Sequence, residues 1–357
     1  MASSGALPAT DGDPVASTRN DPAPTVRDVA QLAGVSPGTV SKALNGQGQL
    51  REETRQRVLD AAEKLRFRPN QVARSLSEGR TYTVGMLTSD SFGRFTLPLM
   101  EGIEDSLGAG QVSTLLCDGR GDPLREHHYL SELLNRRVDG IVVTGRRPDA
   151  RRSVGRLPIP VVYVLGRSDD PADLTVTNDD KQGARLAVEH LVALGRTRLA
   201  YVSGPGHHLS TQLRQRGFEE AVATAGRGVA ATDVLLGHWS EAWGRTAAGL
   251  LARRPAHDRV DAVFCGSDQI ARGLTDGLRE AGVSVPVEVS VVGFDNWDVM
   301  VEAARPPLTT IDPGLVRLGR QSASRLLTAI DGGDLGEGIV AQPCALVVRG
   351  SSVPGGT

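Results

Sequence analysis

The chain has 357 residues, of which 39% are hydrophobic and 23% are charged, and its formal net charge is −2. These values are typical of a globular protein with two or three compact units. The three cysteines are isolated from one another, which argues against a disulfide framework or a zinc cluster and favours a reducing cytosol. Neither a secretory signal nor a run of about 18 apolar residues is visible, so we expect a cytoplasmic protein without a membrane span.

The charge is distributed unevenly along the chain. From Thr25 to Arg80, ten basic side chains stand beside six acidic ones, whereas the rest of the chain is acidic. A local positive excess favours a polyanionic partner at this end of the molecule. Residues 1–24 are rich in Ala, Ser, Thr, Asp and Pro and show no apolar periodicity, which predicts a disordered leader.

The first regular element begins after Thr25. Thr25 and Asp28 have the spacing of a capping box, and Gly34 suits the turn that would end a helix. The apolar residues between them recur at the spacing of one helix face: Val26, Val29, Ala30 and Ala33.

A second, short helix is predicted directly after this turn. Ser36 is a good N-cap, and Pro37 suits the first helical position because no N–H is needed there. This helix should end near Leu44, and a third helix should cover roughly Glu52 to Leu65. A helix, a glycine turn and a second helix form the arrangement that can place a helix in the major groove of DNA.

The second helix carries side chains suited to DNA. The hydroxyl groups of Ser36, Thr39 and Ser41 and the amide of Asn45 are short groups that can bond phosphates and nearby base edges. Lys42 is long and cationic, and can therefore reach guanine acceptors.

This region resembles the DNA-binding head of the lactose and galactose repressor (LacI/GalR) family of bacterial transcription regulators. The family signature DVA..AGVS..TVS..LN is present between Asp28 and Asn45, and the match continues through Phe67–Asn70 and Val72–Leu76. The resemblance implies a helix-turn-helix DNA-binding domain at 25–69, followed by a hinge helix and linker at 70–80. The DNA-binding residues so implied, together with those chosen above, are Ser36, Pro37, Gly38, Thr39, Ser41, Lys42, Asn45, Thr54, Asn70, Ala73, Arg74 and Leu76.

The resemblance also assigns roles within this set. Pro37, Gly38 and Lys42 would occupy the main base-reading positions; since Pro37 and Gly38 have no hydrogen-bonding side chain, readout should depend on Thr39, Lys42 and the hinge. Leu76 would insert into a central base step from the minor groove. The alternatives are a three-helix core domain that binds something other than DNA, and Leu76 as an ordinary apolar anchor in a linker.

From Tyr82 onward, short apolar segments alternate with amphipathic helical segments. This alternation predicts the α/β class, with parallel sheets covered by helices, and the number of units favours two lobes. The strand candidates are Val84–Leu87, Ser113–Leu116, Gly140–Val143, Val161–Val164, Leu199–Val202, Ala262–Cys265 and Val289–Gly293.

The family resemblance extends over this region as well. It rests on Asn178–Gly183, Arg214–Phe218, Ser267–Ala271, Val291–Asp295 and Arg305–Ile311. It implies two Rossmann-like lobes of the periplasmic-binding-protein type with a ligand cleft between them. We place this effector-binding and dimerisation domain at 81–357, with an N-lobe at about 82–178 and 312–337 and a C-lobe at about 179–311 and 338–350.

Side chains at the ends of strands and helices are the candidates for this cleft. Arg214 offers a planar fork of donors, Asp295 can accept sugar hydroxyls, and Trp239 offers a flat face to a sugar ring. The resemblance places these three at ligand positions of the family. The effector-binding candidates are Phe95, Leu99, Arg120, Arg214, Trp239, Asp268 and Asp295. Packing of Phe95, Leu99 or Trp239 in a core, and helix or turn capping by Asp268 or Asp295, are the alternatives.

The sequence contains no GxxxxGK[ST] or HExxH motif, and its histidines do not have metal-ligand spacing, so we expect no enzyme, no cofactor and no metal. We expect a sequence-specific repressor of carbohydrate-utilisation genes. It would bind a pseudo-palindromic DNA operator as a homodimer and be released by a small sugar-like effector. The alternatives are a solute-binding protein with the same lobes and a regulator that responds to a purine-type co-repressor.

Overall fold

The computed structural model describes residues 24–44, 49–67, 80–91, 93–108, 112–226 and 230–353. The chain divides into two compact units, Met1–Arg80 and Thr81–Thr357. Residues 1–23 of the predicted leader and most of the predicted hinge and linker lie outside the described residues. The same holds for five predicted DNA-binding residues: Asn45, Asn70, Ala73, Arg74 and Leu76.

The described part of the first unit contains three helices. They are α1 (Val26–Ala33), α2 (Pro37–Leu44) and α3 (Glu52–Lys64). Their buried faces form one small core from Val29, Ala30, Ala33, Val40, Ala43, Val58, Ala61 and Ala62. Leu59, which the helical pattern places inward, is 39% exposed, because Ala61 and Ala62 take the inner face of α3.

Local hydrogen bonds fix the ends of α1. The Thr25 hydroxyl accepts from the backbone N–H of Asp28, and the Asp28 carboxylate accepts from the backbone N–H of Thr25 at 2.7 Å, which completes a capping box. Gly34 ends the helix with a φ of 65°, a left-handed conformation that suits glycine.

The second unit contains two six-stranded sheets. The first has the order β13-β7-β5-β3-β1-β2, and every strand pair in it is parallel. Its strands are β1 (Thr83–Thr88), β2 (Ser113–Asp118), β3 (Gly140–Thr144), β5 (Val161–Val164), β7 (Leu174–Asn178) and β13 (Gly338–Gln342). The short strands β4 (Ala150–Arg151) and β6 (Arg167–Ser168) pair with each other. Helices α4 (Thr96–Leu107), α5 (Pro123–Asn135) and α11 (Leu315–Ile330) cover the sheet and complete the N-lobe.

The second sheet has the order β14-β12-β11-β10-β8-β9 and is parallel except for the antiparallel β14. Its strands are β8 (Arg198–Ser203), β9 (Ala230–Leu236), β10 (Ala262–Cys265), β11 (Ser290–Phe294), β12 (Thr309–Asp312) and β14 (Ala345–Val347). Its helices are α6 (Asp180–Ala193), α7 (Leu209–Ala225), α8 (Glu241–Ala252), α9 (Asp268–Glu280) and α10 (Asp298–Val301). Two apolar cores, one on each face of this sheet, hold the C-lobe together.

Three segments connect the lobes, and their positions correct one predicted boundary. The chain passes from β7 to α6 at Asp179, from β12 to α11 at Pro313, and from β13 to β14 at Pro343. Residues 338–342 therefore belong to the N-lobe, where β13 pairs with β7, and not to the C-lobe as predicted. Hydrogen bonds tie the segments together: the backbone N–H of Asp179 donates to the carbonyl oxygen of Gln342 at 2.7 Å, and Nη2 of Arg317 donates to that of Pro343 at 2.6 Å.

Candidate functional site

The first candidate surface is formed by α2 and its neighbours in the N-terminal unit. Oγ of Ser36 accepts from the backbone N–H of Thr39 at 3.1 Å, and the two hydroxyl groups lie 2.9 Å apart, so the start of α2 is fixed. The helix carries Lys42 and no acidic residue. Of the predicted DNA-binding residues, Thr39 and Thr54 are half-buried, and the following are exposed: Ser36, Pro37, Gly38, Ser41 and Lys42.

The second candidate is a cavity of about 520 Å³ between the two lobes, a volume typical of small-molecule sites. It lies where the carboxyl ends of strands from both sheets meet, as expected for open parallel sheets. The residues that line it are Asp90, Arg94, Phe95, Arg146, Arg147, Pro148, Leu165, Asn178, Ser210, Arg214, Trp239, Ser267, Gln269, Asp295, Trp297, Pro313 and Leu315.

Four of the predicted effector-binding residues line this cavity. They are Phe95 from the N-lobe and Arg214, Trp239 and Asp295 from the C-lobe. The structure thus brings together, from distant parts of the sequence, the side chains chosen for sugar chemistry.

The other three predicted effector-binding residues lie elsewhere, which corrects the prediction. Leu99 is fully buried in the N-lobe core, because it lies on the face of α4 that packs on the sheet. Arg120 follows the edge strand β2, away from the cavity, and its exposed guanidinium lies 3.6 Å from Asp118. Asp268 is fully buried behind the cavity wall.

Arg214 anchors a buried charge network in the C-lobe wall. Its Nε donates to Oδ1 of Asp180 at 2.7 Å, and its Nη1 donates to the carbonyl oxygen of Gly266 and lies 4.0 Å from Asp295. The guanidinium also lies over the ring of Phe294, 3.5 Å from its centroid. A cation with this many partners is held in one orientation.

Asp268 and Asp295 form a buried acidic pair in the same wall. Burial, reinforced by the charge of Asp295, raises the pKa of Asp268 to about 8. Asp268 accepts from the hydroxyl of Thr310 at 2.5 Å and from the backbone N–H of Trp297 at 2.8 Å, so it supports the loop that carries Asp295. Burial also raises the pKa of Asp295, and the guanidinium groups of Arg94 and Arg214 oppose that rise.

Arg94 of the N-lobe reaches across the cavity to the C-lobe. It donates to the carboxylate of Asp295 and to Oε1 of Gln269 at 3.2 Å. Its guanidinium lies 4.4 Å from the ring centroid of Trp297 and 4.9 Å from that of Phe95. Arg94 of the N-lobe is therefore hydrogen-bonded to the Asp295 carboxylate of the C-lobe.

Trp239 is held in place by a histidine and by a glycine. Its Nε1 donates to Nδ1 of His208 at 2.8 Å, and the two rings are nearly parallel. Burial, with Arg147 nearby, lowers the pKa of His208, which keeps Nδ1 free to accept. A Cβ atom at Gly204 would lie 2.2 Å from the indole, so glycine is needed there for the ring to lie where it does.

The N-lobe wall adds groups that the prediction missed. Arg146 and Arg147 come just after β3, from which Gly145 separates them, and their side chains are 48% and 40% exposed. Asp149, paired with Arg147, accepts from the backbone N–H of Leu209 in the C-lobe at 2.7 Å. Both arginines could have been found by applying the strand-end rule to β3. Trp297 was missed although it lies two residues beyond Asp295.

Membrane and metal features were also sought in the described part of the chain. None of the helices described there is long and apolar enough to cross a membrane. No group of three or more His, Cys, Asp or Glu side chains placed to hold a metal ion occurs among the described residues.

Comparisons with known proteins identify the two units. The family model of bacterial regulatory proteins of the lacI family matches residues 25–70, and that of the periplasmic binding protein-like domain matches residues 188–352. The repressor PurR of Aliivibrio fischeri is 31% identical over 332 residues, covering 92% of this chain and 98% of the relative. The regulator DegA of Bacillus subtilis is 31% identical over 339 residues, with the same coverage.

Solved structures agree with these matches. The lac repressor dimer bound to operator and the anti-inducer ONPF has a TM-score of 0.69 and 26% identity, covering 92% of this chain and 99% of that one. The complex of the transcriptional regulator CelR with cellobiose has a TM-score of 0.62 and 30% identity, covering 92% and 100%. The chain belongs to the LacI family of bacterial regulatory proteins and is a DNA-binding transcription regulator, not an enzyme. This confirms the predicted family, fold class and regulatory function.

Proposed function

We propose that the chain is a repressor that, as a homodimer, binds a pseudo-palindromic operator in the bacterial cytoplasm and is released when a sugar-like effector fills the cavity between its lobes. The observation that carries the proposal is the composition of this cavity. Trp239 offers an aromatic face, Asp295 a carboxylate and Arg214 a fixed guanidinium in the lining of one cavity. An aromatic face with charged groups that bond several hydroxyls is suited to a polyol ring.

Similar regulators support a sugar. CelR is described in complex with cellobiose, and a LacI family regulator from Enterococcus faecium, 29% identical with a TM-score of 0.61, is described with bound ribose. A purine-type co-repressor is the second candidate, because the PurR repressors are among the similar relatives and because Phe95, Trp239 and Trp297 offer planar rings for stacking.

The proposed coupling depends on contacts between the lobes. A ligand that bonds Asp295 competes with Arg94 for the same carboxylate, so its binding changes how the lobes meet. Binding of ligand and binding of operator are then thermodynamically coupled, typically by about 1–3 kcal/mol.

The DNA side is proposed to depend on α2. The proposed DNA-binding surface consists of residues at the N-cap and in α2, namely Ser36, Pro37, Gly38, Thr39, Ser41 and Lys42, together with Thr54 of α3. Among the residues outside the described ranges, Asn45, Asn70, Ala73, Arg74 and Leu76 keep the roles implied by the family resemblance.

Selection of duplexes from a random pool by the full-length protein tests the regulatory function. We expect one enriched two-fold sequence, bound more weakly as salt rises because counterions are released from the phosphates. Lys42→Ala should weaken binding by about 1–3 kcal/mol if it contacts a base. Lys64→Ala, an equally exposed lysine at the end of α3, serves as the matched control. Equal affinity for every duplex would refute the proposal.

Titration of the protein–duplex complex with sugars and with purine bases then decides the effector class. Release by a sugar supports the first candidate. Tighter DNA binding with hypoxanthine or guanine supports the second.

A further inference from the structure

The charges that line the cavity are unequal between its two walls. The N-lobe supplies Arg94, Arg146 and Arg147 but a single lining carboxylate, Asp90. The C-lobe supplies one lining arginine, Arg214, and one lining carboxylate, Asp295. On the proposed function of this cavity, we infer that the effector is an anionic polyol: a hydroxylated body that carries a carboxylate or a phosphate, with the charged group bound at Arg146.

Three of these four guanidinium groups already have a carboxylate at hydrogen-bonding distance. Arg214 bonds Asp180, and Arg94 bonds Asp295. Nε of Arg147 donates to Oδ2 of Asp149 at 2.5 Å.

Arg146 differs from these three. Its Nε forms an ion pair with Oδ1 of Asp90 at 3.8 Å, beyond hydrogen-bonding distance, and its side chain, which lines the cavity, is 48% exposed. Asp90 is itself engaged, because its Oδ2 accepts from the backbone N–H groups of Phe95 and Thr96 at 2.8 and 3.2 Å. Arg146 is thus the one of these four lining arginines that has no hydrogen-bonded carboxylate.

The chemistry of guanidinium selects the group that would satisfy Arg146. Its planar fork matches the two oxygens of a carboxylate or phosphate and forms the stronger, charge-assisted type of hydrogen bond. Arg147, the next residue in the chain, is half-exposed and adds positive charge to the same wall.

The opposite wall fixes the orientation of such a ligand. Arg214, the lining arginine of this wall, is bonded to Asp180 and lies 4.0 Å from Asp295, so it is less available to an acidic group, whereas Asp295 can accept hydroxyl donors. Oγ of Ser210, buried at the cavity without a hydrogen-bond partner, offers a further bond to a hydroxyl. The acidic end should therefore lie on the N-lobe wall and the hydroxylated end between Trp239 and Asp295.

Matched sets of sugars test the inference on the full-length protein by calorimetry. Each set contains a neutral parent (glucose, galactose, mannose, arabinose or xylose), its aldonate, its uronate where one exists, and its terminal phosphate. In at least one set we expect an acid to bind at least tenfold more tightly than its parent. The uronate and aldonate arms distinguish a carboxylate from a phosphate as the bound group.

Two variants assign the effect to one side chain. Arg146→Gln should bring the acid to within about threefold of its parent, and Arg120→Gln, an exposed N-lobe arginine outside the cavity, should leave the preference unchanged. Neutral parents that bind as tightly as their acids, no binding by any member, or an Arg146→Gln protein with full preference would each overturn the inference. The proposed function fails separately from this inference. If the protein selects no duplex, the proposed function is refuted. If a neutral sugar releases the protein from its operator, only the inference of an anionic effector is refuted.

Discussion

The two walls of the cavity differ in how far their charged side chains are buried. The C-lobe wall holds its charges in a buried network in which Arg214, Asp180, Asp268 and Asp295 are all nearly inaccessible to solvent. The N-lobe wall carries Arg146 and Arg147 on a half-exposed loop after β3. A buried network has one low-energy arrangement, whereas exposed arginines adapt at little cost. The C-lobe wall should therefore fix the ligand's position, while the N-lobe wall adjusts to it.

The largest effect that separates the walls should come from Arg214→Met. The change removes the cation that neutralises fully buried Asp180, and an uncompensated buried charge costs about 3–5 kcal/mol. Urea unfolding of the full chain measures the loss. Arg120→Met, which breaks an ion pair whose arginine is 65% exposed, should cost less than about 1 kcal/mol. Equal losses in the free energy of unfolding for Arg214→Met and Arg120→Met would show that the buried C-lobe network stabilises the protein no more than an exposed ion pair does.

Asp268 should make the stability of the C-lobe wall depend on pH. Its pKa is about 8 in the folded protein against the ordinary aspartate value of 3.8, so the folded state binds the extra proton between these values. The resulting stability is fully present below about pH 4 and is lost as the pH rises towards 8. Between pH 5 and 8 we expect the free energy of unfolding to fall by about 3–4 kcal/mol more for the natural protein than for Asp268→Asn. Parallel pH curves for the two proteins would contradict this account.

Gly204→Ala tests how firmly Trp239 is held. The added Cβ would overlap the indole, and overpacking of this kind should cost about 1–2 kcal/mol, because a ring at a cavity can partly shift. Tryptophan fluorescence should change in the same variant, and Trp239→Leu added to it should recover most of the stability. Gly249→Ala in α8 is the control: no atom lies within 4 Å of its added Cβ, so stability should hold or rise.

The smallest effect on stability should come from Arg94→Gln in the N-lobe wall. Asp295 keeps Arg214 nearby, and the glutamine amide can still donate a hydrogen bond, so the loss should be about 1 kcal/mol or less. The contact between the lobes is nevertheless broken, and we expect a larger radius of gyration by small-angle X-ray scattering. An unchanged radius would show that Arg94 does not hold the lobes together.

The sequence predicted the local features of this molecule well and the long-range ones in part. The ends of α1 follow from neighbouring residues such as Thr25, Asp28 and Gly34, so their pattern is visible in the sequence. The alternation of strands and helices is likewise local. The sheet to which β13 belongs cannot be predicted from local sequence. Its partner β7 is more than 150 residues away, and either sheet could accept an edge strand.

The prediction of the cavity residues from the sequence was limited in the same way. Trp239 and Asp295 were found because the resemblance places them at ligand positions of the family, whereas Leu99 was wrongly assigned because the sequence does not show which face of α4 meets the sheet. Arg120 was wrongly assigned because only the strand order reveals that β2 is an edge strand. The bridge from Arg94 to Asp295 joins residues 201 positions apart, and no local pattern encodes it.

The hydrogen bonds between the connecting segments restrict how the lobes move. Asp179 is bonded to Gln342, and Arg317 is bonded to Pro343, so all three segments belong to one cluster. We expect segments bonded in this way to move together, which favours rotation of one lobe against the other over independent movement of each segment. A small rotation at the cavity then produces a larger displacement at the ends of the lobes that lie farthest from the connecting segments.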